Sequence, residues 1–340
     1  MTRKALITGV TGQDGSYLAE FLLKKKYKVI GMMRRSSVFN TERIDHLYKK
    51  YPKKFSTVYG DLLDVYNIDE VLKSINPHEI YHLGSQSHVG ISFKMPEVTI
   101  KTNSLSTLSI LEYIRKNSRK TKFYQACSSE MFGASPPPQN ENTKFLPQSP
   151  YGCSKVFSYY LTNYYRRAYK LFASTGILFN HESPRRGLNF VTRKVTYNLA
   201  KVISGEIKNI KLGNVNIERD WGFAPEYVKA IWKILQYKKA DDFVIATQEN
   251  YKIKDFITEC SKILGLDWKK IFIFNDKSYL RPAEVVSLKG NAKKAQKILK
   301  WKASTKFRDI CKIMVVEDLK RHGFTLEQAK NISKKINKKR

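Results

Sequence analysis

Short apolar runs alternate with amphipathic stretches along the first 180 residues of the chain. Runs with the length and composition of buried parallel strands occupy residues 4–8, 28–33, 55–59, 79–83, 122–126 and 174–179. Between them, apolar residues recur at helical spacing, for example at Ile68, Val71 and Leu72 and again along residues 99–116. Because strands alternate with helices, the pattern predicts an α/β fold built on a parallel sheet.

The regular alternation stops beyond residue 180. Polar clusters at residues 190–194, 213–214, 218–221 and 281–284 stand among helical stretches at 195–204 and 226–235. We therefore predict a first domain over residues 1–180, to which part of residues 220–250 returns, and a smaller, discontinuous C-terminal substrate-binding domain over residues 181–320. Residues 321–340 are strongly basic and are predicted to form a tail that is a frayed or mobile helix.

A glycine-rich turn follows the first strand and leads into a helix at residues 16–23. Gly9 and Gly12 permit a tight turn and close approach of the backbone to a pyrophosphate, while Gly15 lets the helix pack on the strand. The N-terminus of that helix attracts phosphates. The context predicts a Rossmann-like doubly wound sheet with a dinucleotide at this turn, and a purely structural turn is the alternative. The predicted contacts are Gly9, Thr11, Gly12, Gln13, Asp14 and Gly15.

The end of the second strand carries positive charge where an acidic residue would indicate NAD. Arg34 and Arg35 stand there, followed by Ser36. Guanidinium and hydroxyl groups suit the 2′-phosphate of NADP, so the first domain is predicted to bind NADP; a solvated pair of charges is the alternative. Further cofactor contacts are predicted at Asp61, Leu62, Leu83, Ser85, Ser87, Tyr151, Lys155, His181 and Arg186.

A candidate base for an alcohol lies between the fifth strand and the next helix. Tyr151 and Lys155 are four residues apart, so they share one face of a helix, where the ammonium is expected to lower the pKa of the phenol. Ser128 is placed to hydrogen-bond the same oxygen, and Glu130 adds a second acid or base. These four residues predict a catalytic site that oxidises an alcohol and holds one additional carboxylate.

The 340-residue chain has a formal net charge of +32, which could indicate nucleic acid or an acidic membrane surface as a partner. The lysines are scattered over many elements and form no stripe with interleaved aromatics, which favours a lysine-rich surface and no specific nucleic acid. No apolar run reaches the roughly 18 residues that span a bilayer. No secretory signal is visible, so we expect no membrane association and a cytoplasmic location.

Four cysteines are spread along the chain without the spacing of a metal site, so no metal is predicted. Cys127 and Cys153 flank the catalytic candidates. Both are predicted to be small buried residues rather than redox groups.

Arginines of the second half of the chain predict a binding site for a phosphorylated substrate. Arg186, Arg219 and Arg281 lie in its polar clusters and are predicted to clamp a pyrophosphate. Each could instead be an ordinary partner in a surface ion pair.

Together, the glycine turn and the Tyr-x-x-x-Lys pattern resemble the extended short-chain dehydrogenase/reductases of the nucleotide-sugar group. Within that group the chain closely resembles the GDP-mannose 4,6-dehydratase family, from Ala5 to near Trp301. The most specific likenesses are the segments 9–18, 34–47, 178–187 and 281–284. One departure is Trp221-Gly-Phe-Ala-Pro-Glu-Tyr-Val228, where the mannose enzymes typically have Trp-Gly-His-Ala-Lys-Asp-Tyr-Val.

The resemblance implies a GDP-sugar substrate, held by Ser87, Ser128, Glu130, Asn180, Lys194, Arg219, Arg281 and Glu284. It also implies that residues 34–43 bind NADP and pair with a neighbouring subunit, giving a dimer or tetramer. The implied reaction converts GDP-mannose to GDP-4-keto-6-deoxymannose with NADP recycled internally. The alternatives are dehydration of a related GDP-sugar such as GDP-manno-heptose, a nucleotide-sugar 4-reductase or epimerase, and a non-enzymatic nucleic-acid binder.

Overall fold

The structure, a computed structural model, describes residues 2–279 and 281–339. Its strands are β1 Lys4–Thr8, β2 Lys28–Met33, β3 Phe55–Tyr59, β4 Glu79–His82, β5 Lys122–Ser128, β6 Ala173–Leu178, β7 Asn180–Glu182, β8 Ile210–Lys211, β9 Glu218–Arg219, β10 Trp221–Phe223, β11 Asp242–Ile245, β12 Tyr251–Lys252, β13 Phe272–Ile273 and β14 Ser287–Leu288.

The helices are α1 Gln13–Lys24, α2 Asp45–Lys50, α3 Val65–Ile75, α4 Val89–Lys94, α5 Pro96–Ile100, α6 Ser106–Asn117, α7 Pro150–Tyr169, α8 Val191–Ile203, α9 Ala224–Gln236, α10 Ile253–Leu264, α11 Lys293–Leu299, α12 Phe307–Arg321 and α13 Leu326–Lys339. A π-helical turn covers Lys101–Leu105, and 3₁₀ turns cover Ser129–Met131, Trp268–Lys270 and Lys277–Tyr279. Within the described residues, no helix is both long and apolar enough to cross a bilayer.

The large sheet of the described chain has seven strands in the order β11-β6-β5-β4-β1-β2-β3, and every neighbouring pair is parallel. β1 lies inside the sheet between β4 and β2, with Leu6 paired to Ile30 on one side and to Ile80 on the other. The order of the strands reverses beside β1, which is the arrangement of a doubly wound sheet. The predicted Rossmann-like α/β fold is therefore confirmed.

Both faces of the sheet are covered by helices, which explains the uninterrupted apolar character of its strands. On one face, α1 and α9 form a core that includes Leu18, Leu22 and Ile231. On the other face, α3, α6 and α7 form a core that includes Leu72 and Ile114. The segment containing α9 and β11 thus adds a helix and an edge strand to this sheet.

A second hydrophobic core lies among α8, α10, α12 and α13. Its fully buried residues include Leu199, Ile257 and Met314. Short strand pairs lie beside it, and β9 pairs with both β12 and β14. Arg219, at the end of β9, is held between these two short strands.

The prediction of a frayed or mobile C-terminal tail is wrong. α13 packs against α8, α10 and α12, and its Ala329 and Ser333 are completely buried. The Asn337 side chain donates to the Gly265 carbonyl (2.9 Å) and accepts from the Asp267 amide (3.1 Å). Lys330, Lys334, Lys335 and Lys338 of this helix are exposed and therefore lie on the outer face of a packed element.

The predicted continuous helix over residues 99–116 is interrupted. α5 and α6 are joined through the π-helical turn Lys101–Leu105. Leu105, expected on the apolar side, is 45% exposed, whereas Asn103 is almost fully buried. A π-turn changes which side chains face inwards, and it brings Asn103 towards the carboxyl edge of the sheet.

Candidate active site

Most of the residues predicted to form the site lie at one edge of the large sheet, beyond the carboxyl ends of its parallel strands. Ligands of open α/β sheets bind in this position. They are Gly9, Thr11, Gly12, Gln13, Asp14 and Gly15 after β1; Arg34, Arg35 and Ser36 after β2; Asp61 and Leu62 after β3; Leu83, Ser85 and Ser87 after β4; Ser128 and Glu130 at the end of β5; and Asn180, His181 and Arg186 after β6. Tyr151 and Lys155 come to the same edge from the first turns of α7.

The glycine turn has the shape that phosphate binding needs. Gly9 has φ +71°, and a Cβ there would lie 2.8 Å from the Gly84 Cα. A Cβ on Gly15 would lie 2.3 Å from the Gly9 carbonyl oxygen. Gly12 is the exposed N-cap of α1, and no side chain caps the helix there. The first amides of α1 are thus free of a side-chain cap and fit the pyrophosphate of a dinucleotide.

A buried ion pair joins this turn to β7. His181 places Nε2 2.8 Å from Asp14 Oδ2 and Nδ1 2.7 Å from the Phe179 carbonyl oxygen. Burial disfavours the charged ring, but the Asp14 carboxylate outweighs it and raises the pKa of His181. Both ring nitrogens face acceptors, so the protonated form of His181 can donate two hydrogen bonds. Gln13 strengthens the link by donating to the His181 carbonyl (3.0 Å).

The basic residues after β2 are exposed. Arg34, Arg35 and Ser36 all point to the surface, and the Ser36 hydroxyl accepts from the Val38 amide at 3.3 Å. After β3, Asp61 caps the local turn by accepting from the Leu63 amide at 2.9 Å. Since β2 neighbours β1 in the sheet, the residues after β2 follow the strand next to the one that carries the glycine turn.

Tyr151 is buried on α7, where the Ser128 hydroxyl is close enough to favour its phenolate form. The prediction that Lys155 lowers the pKa of Tyr151 is wrong for the protein alone. Burial raises the pKa of Tyr151 to about 12, and nearby Glu130 adds to the rise, whereas the Ser128 hydrogen bond and the Arg186 charge oppose it. Desolvation of the phenolate therefore outweighs the stabilising groups.

Lys155 lies one turn further along α7 and is 3% exposed. Its ammonium donates to the Ala126 carbonyl at 3.1 Å and lies 5.8 Å from the centre of the Tyr151 ring. Burial lowers the pKa of Lys155 to about 8. The ammonium is thus close to the phenol but without a carboxylate partner in direct contact.

Glu130 is a buried carboxylate in the same site. It lies in the 3₁₀ turn after β5, where its amide donates to the Ser128 hydroxyl at 3.2 Å. Arg219 lies close to it, with Nη2 3.7 Å from Glu130 Oε1.

Arg219, Arg281 and Glu284 form the part of the site that comes from the second half of the chain. Arg219 is 5% exposed and donates to the Val285 carbonyl at 2.9 Å. Burial lowers the pKa of Arg219, against the opposing charges of Glu130 and Glu284. Arg281 pairs with Glu284 at 3.3 Å, and its positive charge also acts on Arg219. The Lys194 ammonium lies 3.3 Å from the centre of the Tyr279 ring.

Asn103 is a part of the site that sequence reasoning missed. Its Oδ1 accepts from the Ser85 hydroxyl and the Gln86 amide, both at 2.9 Å. Its Nδ2 donates to the Gln86 carbonyl (3.1 Å) and to the Ser154 hydroxyl (2.9 Å). Asn103 thus joins the loop after β4 to the helix that carries Tyr151. The polar run at residues 102–104 inside an apolar helical pattern was the available signal.

The cysteine prediction is half confirmed. Cys127 is buried, and burial raises the pKa of its thiol to about 12. Cys153 is exposed, so its predicted burial is wrong. It lies on the outer face of α7, between two inward-facing residues of the Tyr-x-x-x-Lys pattern.

Solved structures with this fold include nucleotide-sugar enzymes. A dTDP-glucose 4,6-dehydratase from Bacillus anthracis in complex with NAD superposes with a TM-score of 0.81 at 19% identity, covering 96% of this chain and 100% of that one. RMD from Pseudomonas aeruginosa complexed with NADPH superposes with a TM-score of 0.76 at 18% identity, covering 94% and 100%. At these identities the likeness supports the fold alone.

The sequence relatives are more specific. GDP-mannose 4,6 dehydratase 1 of Arabidopsis thaliana is 49% identical over 324 residues, covering 93% of this chain and 89% of the plant protein. The GDP-mannose 4,6-dehydratase of Vibrio cholerae is 45% identical over 352 residues (94% and 95% covered), and that of Homo sapiens is 44% identical over 338 residues (93% and 91% covered). The sequence profile of the GDP-mannose 4,6 dehydratase family matches residues 6–314. The chain therefore belongs to the GDP-mannose 4,6-dehydratase family.

Proposed function

We propose that this protein catalyses the 4,6-dehydration of GDP-mannose, giving GDP-4-keto-6-deoxymannose and water. The observation that carries the proposal is the buried Glu130 carboxylate, whose charge acts on Tyr151 and whose amide donates to the Ser128 hydroxyl at 3.2 Å. Oxidation of an alcohol needs only the hydroxyl pair and a hydride acceptor. Removal of water from the neighbouring carbons needs a further acid or base, and Glu130 provides one.

When bound, the nicotinamide of the cofactor would accept a hydride from C4 of the sugar and return it at C6. Tyr151 would take the proton of the C4 hydroxyl while Ser128 orients that oxygen. The C4 ketone makes the C5 hydrogen acidic. Glu130 would remove this C5 proton and then protonate the C6 hydroxyl, which leaves as water. The proton that Tyr151 took from the C4 hydroxyl balances the one that C5 regains after the hydride has returned to C6.

The GDP part of the substrate is assigned to the arginines of the second half of the chain. Arg219 is buried against backbone carbonyls, so its charge is fixed in place near Glu130. Arg281 adds a second guanidinium, and its positive charge contributes to lowering the pKa of Arg219. Two fixed guanidiniums suit a diphosphate, whose oxygens accept paired hydrogen bonds. Asn180, Lys194 and Glu284 are assigned to the same substrate.

NADP is the proposed cofactor, because exposed guanidiniums at Arg34 and Arg35 follow β2 beside the glycine turn. Arg34→Ala should weaken binding of NADP⁺ by about tenfold, the scale of one charge-assisted contact, and leave binding of NAD⁺ nearly unchanged. Titration calorimetry with both nucleotides measures this. Equal losses for both would remove the argument for a 2′-phosphate contact.

The loop at residues 34–43 is also the proposed contact with a second copy of the chain, in a dimer or tetramer. Val38 is 72% exposed and Phe39 is 94% exposed in this loop. Large apolar side chains exposed to this degree are typical of surfaces that another chain covers.

A cytoplasmic location remains an expectation from the sequence.

The proposal is tested by incubating the protein with NADP⁺ and either GDP-mannose or GDP-manno-heptose and weighing the products. We expect GDP-mannose to lose one water, with no net change in NADPH absorbance. Water loss from GDP-manno-heptose alone would identify the heptose, and not mannose, as the sugar of the substrate, in keeping with the departure at residues 221–228. In a parallel incubation with NADPH, its stoichiometric consumption without water loss would indicate a reductase instead.

A further inference from the structure

Three consecutive carbonyl groups, those of Pro184, Arg185 and Arg186, are each held by an arginine from elsewhere in the chain. Arg43, from the loop before α2, donates through Nε to the Arg185 carbonyl at 2.9 Å. Arg193, from α8, donates through Nη1 to the Pro184 carbonyl and, at 3.1 Å, to the Arg186 carbonyl. Arginine side chains from other parts of the chain therefore fix the backbone of the turn at 184–186.

Arg193 is itself oriented by Asp318 of α12. Its Nε lies 2.8 Å from Asp318 Oδ2 and its Nη2 lies 2.6 Å from Oδ1. The two side chains are 2% and 0% exposed. The Thr196 hydroxyl donates to Asp318 Oδ2 at 2.7 Å. With Nε and Nη2 occupied by the carboxylate, Nη1 is the end of the guanidinium that points at the turn.

The turn presents Arg186 to the site. Its guanidinium lies 3.7 Å from the Phe190 ring centre and its Nε 3.3 Å from Glu182 Oε2. The charge of Arg186 opposes the rise in the pKa of Tyr151 and adds to the effect of His181 in lowering the pKa of Asp14. Arg186 thus acts on the alcohol base and on the glycine turn together, and its position depends on where the 184–186 backbone lies.

We propose that Asp318 and Arg193 are positioning residues, which fix the 184–186 turn and thereby hold Arg186 where it binds the cofactor. The inference rests on the cofactor role proposed for Arg186. Replacing a buried ion pair with apolar residues is often neutral for stability, so stability alone does not explain a charged pair here. The pair is better explained by its effect on Arg193, because Asp318 fixes the direction in which Nη1 donates. Asp318 lies beyond residue 314, where the match to the family profile ends.

The chain offers a matched control pair in Arg166 and Asp242. Arg166 Nη2 lies 2.5 Å from Asp242 Oδ1, with side chains 16% and 11% exposed. A threonine, Thr175, donates to this carboxylate at 2.6 Å, and Arg166 Nε donates to the Ala173 carbonyl at 2.6 Å. The pair thus has the same parts as the first one, but it lies at the start of β6 and β11, the opposite end of the sheet from the site.

The test measures NADP⁺ binding by titration calorimetry, without substrate, in Asp318→Asn, Asp242→Asn, Arg186→Ala and the double variant Arg186→Ala/Asp318→Asn. Both Asn variants should lower the midpoint of thermal unfolding. Only Asp318→Asn should weaken NADP⁺ binding, by about tenfold, the scale of one misplaced charged contact. The double variant should bind no more weakly than Arg186→Ala, because Asp318 acts through Arg186.

Unchanged affinity in Asp318→Asn, equal loss in Asp242→Asn, or additive losses in the double variant would each overturn the proposal. Affinity that falls in Asp318→Asn but not in Arg186→Ala would overturn it as well, because the effect would not pass through Arg186. Binding is read without turnover, so a failure of the proposed dehydration does not affect this test.

Thr196→Val is the gentler variant if Asp318→Asn does not fold. It removes one hydrogen bond to Asp318 and leaves no buried charge unpaired. We expect NADP⁺ binding about threefold weaker, and no added effect beside Arg186→Ala. A folded Thr196→Val protein with normal affinity would count against the positioning role.

Discussion

Lys155→Met should stabilise the cofactor-free protein at neutral pH. The ammonium of Lys155 is buried at 3% exposure, and it donates a hydrogen bond to the Ala126 carbonyl. Burial lowers its pKa from 10.5 to about 8. The difference corresponds to about 3 kcal/mol of unfavourable free energy at pH 7. Loss of the hydrogen bond to Ala126 offsets about 1 kcal/mol, so a net gain of about 2 kcal/mol is expected.

The pH dependence is the sharper part of this prediction. Because the folded-state pKa lies below the unfolded one, the folded wild type binds fewer protons than the unfolded chain between about pH 8 and pH 10.5, and its stability rises with pH in that window. The Met variant lacks this contribution. Its advantage should therefore shrink by about 1 kcal/mol between pH 7 and pH 9, and further by pH 10.5.

Urea denaturation of both cofactor-free proteins across this pH range measures the effect. Lys233→Met is the control, since Lys233 also donates to backbone carbonyls, at 2.9 and 2.8 Å, but at the half-exposed edge of α9. Its stability curve should run parallel to that of the wild type. A Lys155→Met curve that is also parallel, or lower at neutral pH, would refute the assignment of a desolvated ammonium.

The remaining predictions concern the reaction and the packing behind the site. Glu130→Gln should lower formation of the dehydrated product by at least about a hundredfold while still allowing slow C4 oxidation, visible as NADPH absorbance; full dehydration would remove the role of Glu130. Tyr151→Phe should abolish that absorbance too, and retained turnover would show that another group takes the C4 proton. Gly222→Ala should destabilise the protein by about 2 kcal/mol in urea denaturation, since a Cβ would lie 2.1 Å from the ring of Tyr227; an unchanged midpoint would show that this ring moves freely.

The first three strands of the chain could be predicted from the sequence because they are short apolar runs between helices. β1, β2 and β3 begin and end at the predicted residues. Helices cover both faces of the sheet, so a buried strand is apolar along its length. The ends of an apolar run in the sequence then mark the ends of the strand. The same reasoning placed Ser128 and Tyr151 at one edge, because strand order determines which loops meet.

Properties that depend on distant packing could not be predicted in this way. The lysines of α13 suggested a solvated tail, but Ala329 and Ser333 are small enough to let this helix pack closely on the second core. Similarly, the spacing of Tyr151 and Lys155 identified the neighbours of the phenol but not its desolvation. Burial determines the pKa of both groups, and burial belongs to the whole fold rather than to a motif.

The π-helical turn Lys101–Leu105 makes the site sensitive to the number of residues in a helix as well as to their identity. A π-turn accommodates one residue more than an α-helix of the same path. Deleting a single residue there would allow a regular helix and rotate every preceding side chain by about 100° relative to α6. Asn103 could then no longer face both Gln86 and Ser154. A one-residue deletion in this turn should therefore be more damaging than most substitutions within it.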